Sequence, residues 1–478
     1  MTQDETIALF LQGREAWNVW AEGMWAEKKR LEEAGLWAAE PLLGDLKEKN
    51  AETQAWMAAA RADFSSLRFI TEALAQAADA AAGNVESILV EADSIDFSAF
   101  VFPGQAGFGA AQFHGEARFG AAQFHGEARF EAAQFHGEAG FGAAQFHGYA
   151  WFEDAQFHKV AGFGAAQFHG EAGFEAAQFH KVAGFEDAQF HKNISFEDAV
   201  FEQSARFTGA KFCEAEGKAN FFQATFKRFA TFRDAHFFRE AQFTAISVER
   251  AFDLRGAVFD TLPDFTQANF REAPRLDNLT LTPGKVEPGG FWRPIPGDAG
   301  VAGDAVANYR SLRRLAIQSH DHANEQAFLR GEIRAKRGSE DRPWPWQQNS
   351  AAYWMGVFYD AFSDFGRSIA RPFWLWVMSA AAFAALYLAL SKNGLIAPAC
   401  ANGQPGAAVL DALYLAYKNA LLVIGWESEQ KLNQVHACLY GEAQAPSSIA
   451  LIQLGQNLLS AAALFLLILG IRNRFKIK

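Results

Sequence analysis

From residue 97 onward, phenylalanine recurs at alternating steps of five and six. The frame runs Phe97, Phe102, Phe108, Phe113, Phe119, Phe124, Phe130, Phe135, Phe141, Phe146, Phe152, Phe157, Phe163, Phe168, Phe174, Phe179, Phe185 and Phe190, and continues to Phe212. All 22 positions are Phe, and in 19 of them the residue two places earlier is Ala. Apolar residues two apart share one face of an extended chain. The residue between them, mostly Gln, Gly or Arg, points the other way. Each unit therefore reads as a short strand with Ala and Phe inside, closed by a turn; Gly115, Gly120 and Gly148 stand where turns are expected. Steps of five and six do not keep one face of a 3.6-residue helical turn, so the pattern excludes a helix. The frame slips between Phe212 and Phe221 and then resumes to Phe270, with Val248 and Leu254 replacing Phe, for 32 units in all.

The flanks follow other patterns. Residues 1–92 lack the period and are rich in Ala, Glu, Leu and Trp, which predicts a helical N-terminal cap, with Phe64 and Phe69 as lead-in units. The solenoid is expected over 93–272. A linker rich in Pro and Gly spans 273–303, and a charged helical connector spans 304–342. Within 343–372, Trp354, Phe358, Phe362, Phe365 and Ile369 keep steps of three and four, the pattern of an amphipathic helix lying at a membrane interface. Residues 373–478 read as a two-span membrane domain. The runs 373–390 and 449–471 carry no charge, and each is long enough to cross. Arg367 and Arg371 precede the first; Arg472, Arg474, Lys476 and Lys478 follow the second. Positive flanks belong inside, which puts both termini in the cytoplasm and loop 391–448 outside, as in a bacterial inner membrane. Within that loop, 408–426 is semi-apolar and suits a re-entrant helix.

Composition narrows the functions. The chain has 47 Phe against 8 Tyr among 478 residues, so one architecture is using Phe repeatedly. A net charge of −12 argues against nucleic acid as a partner. Three cysteines are too few for a disulfide scaffold, but Cys400 and Cys438 both fall in the outer loop, where a bridge is expected; Cys213 is expected reduced. No phosphate loop, metal-ligand spacing or nucleophile motif is present, so neither an enzyme nor a cofactor is expected. Eight histidines directly follow a frame Phe, at eleven-residue intervals from His114 to His191. Aligned histidines suit metal ligation, but a copied repeat also copies its surface residue, and the second reading is favoured.

The Ala-x-Phe units resemble pentapeptide-repeat proteins, in the variant whose alternate unit has a sixth residue. The resemblance implies a right-handed quadrilateral β-helix with four units, and so 22 residues, per coil. The sixth residue is expected as a bulge at two of the four corners. Gly13-Arg14-Glu15-Ala16-Trp17-Asn18-Val19-Trp20 resembles a leader that precedes some such arrays. Some members of the family imitate DNA and bind topoisomerases. Residues 96–212 carry 14 Asp or Glu and 7 Lys or Arg, a matching net of −7, but apolar spans fit that role poorly.

The span, re-entrant helix, span plan is similar to two-helix potassium-type channels, which implies a tetramer. The chain departs from them at Val423-Ile424-Gly425-Trp426-Glu427, which offers one Gly and no filter-like run of carbonyls. Candidate pore-lining residues are Gly425, Glu427, Glu429, Gln453, Gln456 and Asn457. The polar residues of the second span read equally as glue between the spans. Two functions follow: a channel-like homo-oligomer in the lipid bilayer, or a membrane-tethered scaffold presenting the solenoid to a cytoplasmic protein.

Overall fold

A computed structural model describes residues 1–37, 50–71, 87–90, 94–282, 299–336, 350–366, 368–391, 407–421, 429–442 and 445–475. They divide into two units, one closing at Lys336 and the other built from the helices after it.

The first unit is a parallel β-solenoid. Two-residue strands feed four sheets of eight, ten, eight and nine strands, visited in turn. Gln112–Phe113 pairs with Gln134–Phe135, and that strand with Gln156–Phe157, so one rung takes 22 residues. The register places each Phe over the next. Phe113, Phe135 and Phe157 stack at 4.8 Å with planes within 2°. Neighbouring columns meet edge to face, as Phe130 and Phe141 do at 5.4 Å and 87°. The intervening alanines fill the remaining interior, and both sets are almost wholly buried. Burying each Phe contributes about 2–3 kcal/mol.

The five- and six-residue steps build two kinds of corner. In the five-residue step, the Ala133 N–H donates to the Phe130 carbonyl at 3.1 Å and closes a β-turn. Its third residue, Ala132, has φ 54°. That left-handed position favours Gly and costs an L-residue roughly 1–2 kcal/mol, yet Ala or Asp fills it at most such corners. The six-residue step bends at His125 and Gly126 with no left-handed residue. The sixth residue thus widens every second corner. There the rungs approach closely: a Cβ on Gly148 would strike the backbone carbonyl of Gly126. The frame slip is a loop. Ile194 pairs with Ala219, and Phe196 stacks on Phe221 at 5.1 Å, so three extra residues bulge out between Cys213 and Gly217 while the core continues.

Both solenoid ends are covered. Pairing begins upstream of residue 93, with Ala62 against Ala106. Phe64 and Phe69 stack on Phe108 and Phe113, each at 4.9 Å. Helices α1 (Gln3–Phe10), α2 (Arg14–Glu33) and α3 (Ala51–Ala60) precede them. Phe10 and Trp17 lie on the rings of Phe64 and Phe100. Among the described residues, Val101–Phe102 is the last strand of its sheet and would leave polar backbone unpaired. Asn18, in the leader-like motif, supplies partners: its Oδ1 accepts from the Val101 N–H and its Nδ2 donates to the Ala99 carbonyl, both at 3.1 Å. Trp17 Nε1 donates to the Val101 carbonyl at 2.9 Å.

At the other end the last strand is Thr280–Leu281, beyond residue 272. Helices α4 (Ala299–Gln318) and α5 (His322–Lys336) form the charged connector, and its apolar side closes the core through Leu312, Leu315 and Phe328. Gln318 donates to the Phe270 carbonyl at 3.1 Å and Ser319 to that of Pro274 at 2.7 Å. The connector's charges meet one another: buried Glu332 is flanked by Arg310, Arg313 and Lys336.

The second unit holds α6 (Ser350–Ser363), α7 (Ala370–Ala389), α8 (Ala407–Ala420), α9 (Glu429–Tyr440) and α10 (Ser447–Phe475). Two segments, Ala370–Ala389 and Ser447–Arg472, are long and apolar enough to cross a membrane, with mean hydropathy 1.6 and 2.0. The amphipathic stretch is not one helix. Asp364 and Phe365 are left-handed, at φ 47° and 53°, and the Gly366 N–H bonds to Ser363 Oγ. Phe365 therefore sits in a turn and Ile369 at the cap of α7, while Trp354 and Phe358 keep the exposed side of α6. Spacing alone does not reveal this stop, because the left-handed residues are not glycine until Gly366.

Phe157→Ala is expected to destabilise the solenoid by roughly 3–5 kcal/mol, well beyond Gln156→Ala; equal unfolding midpoints by calorimetry would contradict the inward assignment. Gly148→Ala should lower the midpoint clearly, whereas Gly140→Ala, which meets nothing within 4 Å, should not.

Candidate functional sites

The histidines form two columns at the wide corners, on opposite sides of the solenoid. In one, His114, His136, His158 and His180 stack with centroids 4.6, 4.8 and 5.0 Å apart. In the other, His125, His147, His169 and His191 stack at 4.5, 5.0 and 4.6 Å. The first column ends on charged groups. Arg68 Nε donates to His114 Nε2 at 3.0 Å, and His180 lies 3.1 Å from Glu202, which pairs with Lys227 at 3.0 Å. The second begins under Trp25, whose ring meets His125 edge-on at 4.8 Å. Burial, then the neighbouring His147 and Lys28, push the His125 imidazole down to about 4. Burial first, then a neighbouring imidazole, also lowers His114, His136, His158 and His169. Neutral rings can stack at this distance; protonated ones repel. Among the described residues, no group of three or more His, Cys, Asp or Glu side chains converges to hold a metal.

In the helical unit, the polar residues of the second apolar run separate. Gln456 is fully buried. Its Nε2 donates to the Ala416 carbonyl at 2.8 Å, and its Oε1 accepts from Tyr387 Oη at 2.7 Å and from Asn419 at 3.4 Å. One amide thus ties α10 to α7 and α8. Gln453 meets His436 of α9 at 3.1 Å, and Asn457 is half-buried. Glu429 opens α9. Gly425, Glu427 and Cys400 lie outside the described residues. Cys438 is disulfide-bonded. Cys213 is free and buried, and burial pushes its thiol up to about 12, which makes it unreactive.

Sequence reading passed over Tyr387, Asn419, Arg68 and Glu202. None of them repeats, and each gains its role from a residue far along the chain.

Residues 122–167 and 163–211 match a family model described as pentapeptide repeats (9 copies), so this stretch of the solenoid is pentapeptide-repeat sequence. No curated protein and no solved structure matches the chain.

The histidine columns give a signed pH dependence. The folded values of His114, His125, His136, His147, His158 and His169 lie below the ordinary 6.5, so the unfolded chain binds more protons in the window beneath it. Stability is held above 6.5 and lost as pH falls from there toward 4. His125→Gln should flatten part of this loss. A variant whose unfolding midpoint drops as steeply as the parent's between about pH 7 and about pH 5 would remove His125 from the account. Separately, Gln456→Ala leaves Tyr387 and Asn419 without their buried partner and should cost about 1–3 kcal/mol, read from the unfolding of the helical unit in detergent.

Proposed function

We propose that this chain is a membrane-anchored scaffold. Helices α7 and α10 hold it in a bilayer, and the pentapeptide-repeat solenoid presents flat, in-register faces to a cytoplasmic protein partner. The observation that carries this reading is the partnering of Gln456. A pore lined by the second span needs amide groups turned to a water path, but this one turns to Tyr387, Asn419 and Ala416 of its own chain. The span's polar groups then act as fasteners between helices. The exposed leucines and aromatics of α7 and α10, among them Trp374, Met378, Leu451, Leu458 and Phe465, suit lipid contact. Trp354, Met355 and Phe358 on α6 suit the interface. The basic flanks favour a bacterial inner membrane with both termini inside, and a Cys400–Cys438 bridge on the outer face.

One observation favours a second reading, a channel-like homo-oligomer, tetrameric by the similarity to two-helix channels. Helix α8 has 14 residues, fewer than a span needs, and exposes Leu410, Leu413 and Tyr417 beside the charged Asp411 and Lys418. An apolar stripe on a charged helix suits another copy better than lipid.

The full chain is expected to stay with membranes through an alkaline wash, and a chain lacking 343–478 to become soluble. Purified chain that elutes as a monomer and never conducts in planar bilayers would support the scaffold. Conductance, together with a higher-order oligomer, would replace it with the channel.

A further inference from the structure

Three tryptophans converge on one ammonium at the N-terminal end of the solenoid. Lys28 Nζ lies 5.2 Å from the ring centroid of Trp25, 4.8 Å from that of Trp37 and 5.7 Å from that of Trp56. The walls are braced from different elements. Trp56, on α3, is nearly buried and donates its indole N–H to the Met24 carbonyl at 2.7 Å. Trp37 stands edge-on to Trp56 at 5.2 Å. Trp25, on α2, rests against His125 of the solenoid at 4.8 Å. Met24 and Met57 pack beneath, around Leu31 and Ala60.

Lys28 sits on α2 among other charged residues. On the same helix Glu27 pairs with Arg30, and Glu33 lies 3.9 Å from Lys29. Among the described residues, Lys28 lies in no ion pair with a carboxylate, and its ammonium lies over three ring faces. A core does not need this arrangement, because the adjacent lysine and arginine of α2 show the ordinary outcome, a solvated ion pair. Three electron-rich faces around one point make a cation site. A primary ammonium fills it imperfectly, since it is compact, strongly hydrated and keeps three donors that the rings do not satisfy. A quaternary ammonium has no N–H to leave unsatisfied, is weakly hydrated and offers methyl groups to all three faces.

We propose that Trp25, Trp37 and Trp56 form a binding site for a quaternary-ammonium group, and that Lys28 is its built-in plug. Ligand entry swings the lysine stem out along exposed α2, leaving the braced walls in place. The site is independent of the membrane reading above.

The test uses the full chain in a maltoside detergent free of choline, with choline chloride as the probe and sodium chloride at equal ionic strength as the control. Binding is read by isothermal calorimetry and by saturation transfer to the choline methyl signal. Lys28→Ala should bind choline about tenfold tighter than the parent chain, because the ligand no longer displaces the plug. Adding Trp37→Ala to that variant should abolish the signal. Should Lys28→Ala lower the unfolding midpoint, Lys28→Met keeps the apolar stem and takes its place. An unplugged chain that folds but gives no choline signal overturns the proposal. So does equal affinity in plugged and unplugged chains, or binding that survives the loss of Trp37.

Discussion

From Phe97 to Phe190, phenyl rings in successive rungs stack at 4.7–4.9 Å, which is the spacing between hydrogen-bonded parallel strands. Backbone ladder and aromatic column therefore share one repeat length, and neither strains the other. Parallel stacking alone is a modest contact, but each ring also meets the neighbouring column edge-on, the geometry aromatic pairs prefer. A core so constrained takes Phe at nearly every large position, Val248 and Leu254 excepted, and mostly Ala at the small one. It also over-determines the corners. An Ala or Asp held left-handed at one corner after another is unfavourable locally, and it persists because the rings on either side leave the chain no other way to turn.

That constraint explains what the sequence made legible. The interior repeats, so its period gives the short strands and the inward set directly, while the 22-residue rung followed from the resemblance to pentapeptide repeats. The ends do not repeat. Asn18 pairs with Val101, and Gln318 with Phe270, through single residues with no periodic signature. The start of pairing at Ala62 is only partly marked: Phe64 and Phe69 read as lead-in units, but the sequence leaves the frame between Phe69 and Phe97. In the helical unit, polar Gln456 is conspicuous in an apolar run, but nothing local marks Tyr387 as its partner, 69 residues earlier. The tryptophan cage is least legible: Trp25, Trp37 and Trp56 follow no spacing, and only the folded chain brings them around Lys28.

Distinctive chemistry on a solenoid belongs where its symmetry breaks. A face copied rung after rung presents one residue many times and offers no unique constellation. Trp151 is one break: it stands between Arg129 and Gly173 in its column, stacks with Tyr149 at 5.4 Å, and lies so close over Gly173 that a Cβ there would meet the ring. The loop between Cys213 and Gly217 is another, tied back by Lys192 to Glu216 at 2.8 Å. The cage around Lys28 forms where the helical cap meets His125, the first histidine of its column.

Copying has an electrostatic cost that shapes the surface. In a parallel in-register stack, a copied residue faces itself about 5 Å away. For a neutral side chain this is harmless, and Gln112, Gln134, Gln156 and Gln178 line one sheet without penalty. For a charged one, like faces like. Glu131, Glu153, Glu175 and Glu197 follow one another at the rung interval, and burial, reinforced by these neighbouring carboxylates, holds Glu131 and Glu175 above the usual carboxylate range. Histidine lies between these cases, since burial disfavours the charged form of His114, His125, His136, His147, His158 and His169, and neutral rings can stack. Where the column would go on, the chain switches to Glu202 and then Lys227, so that opposite charges meet. The histidine columns are thus explained by what an aligned repeat can copy, with no ligand required.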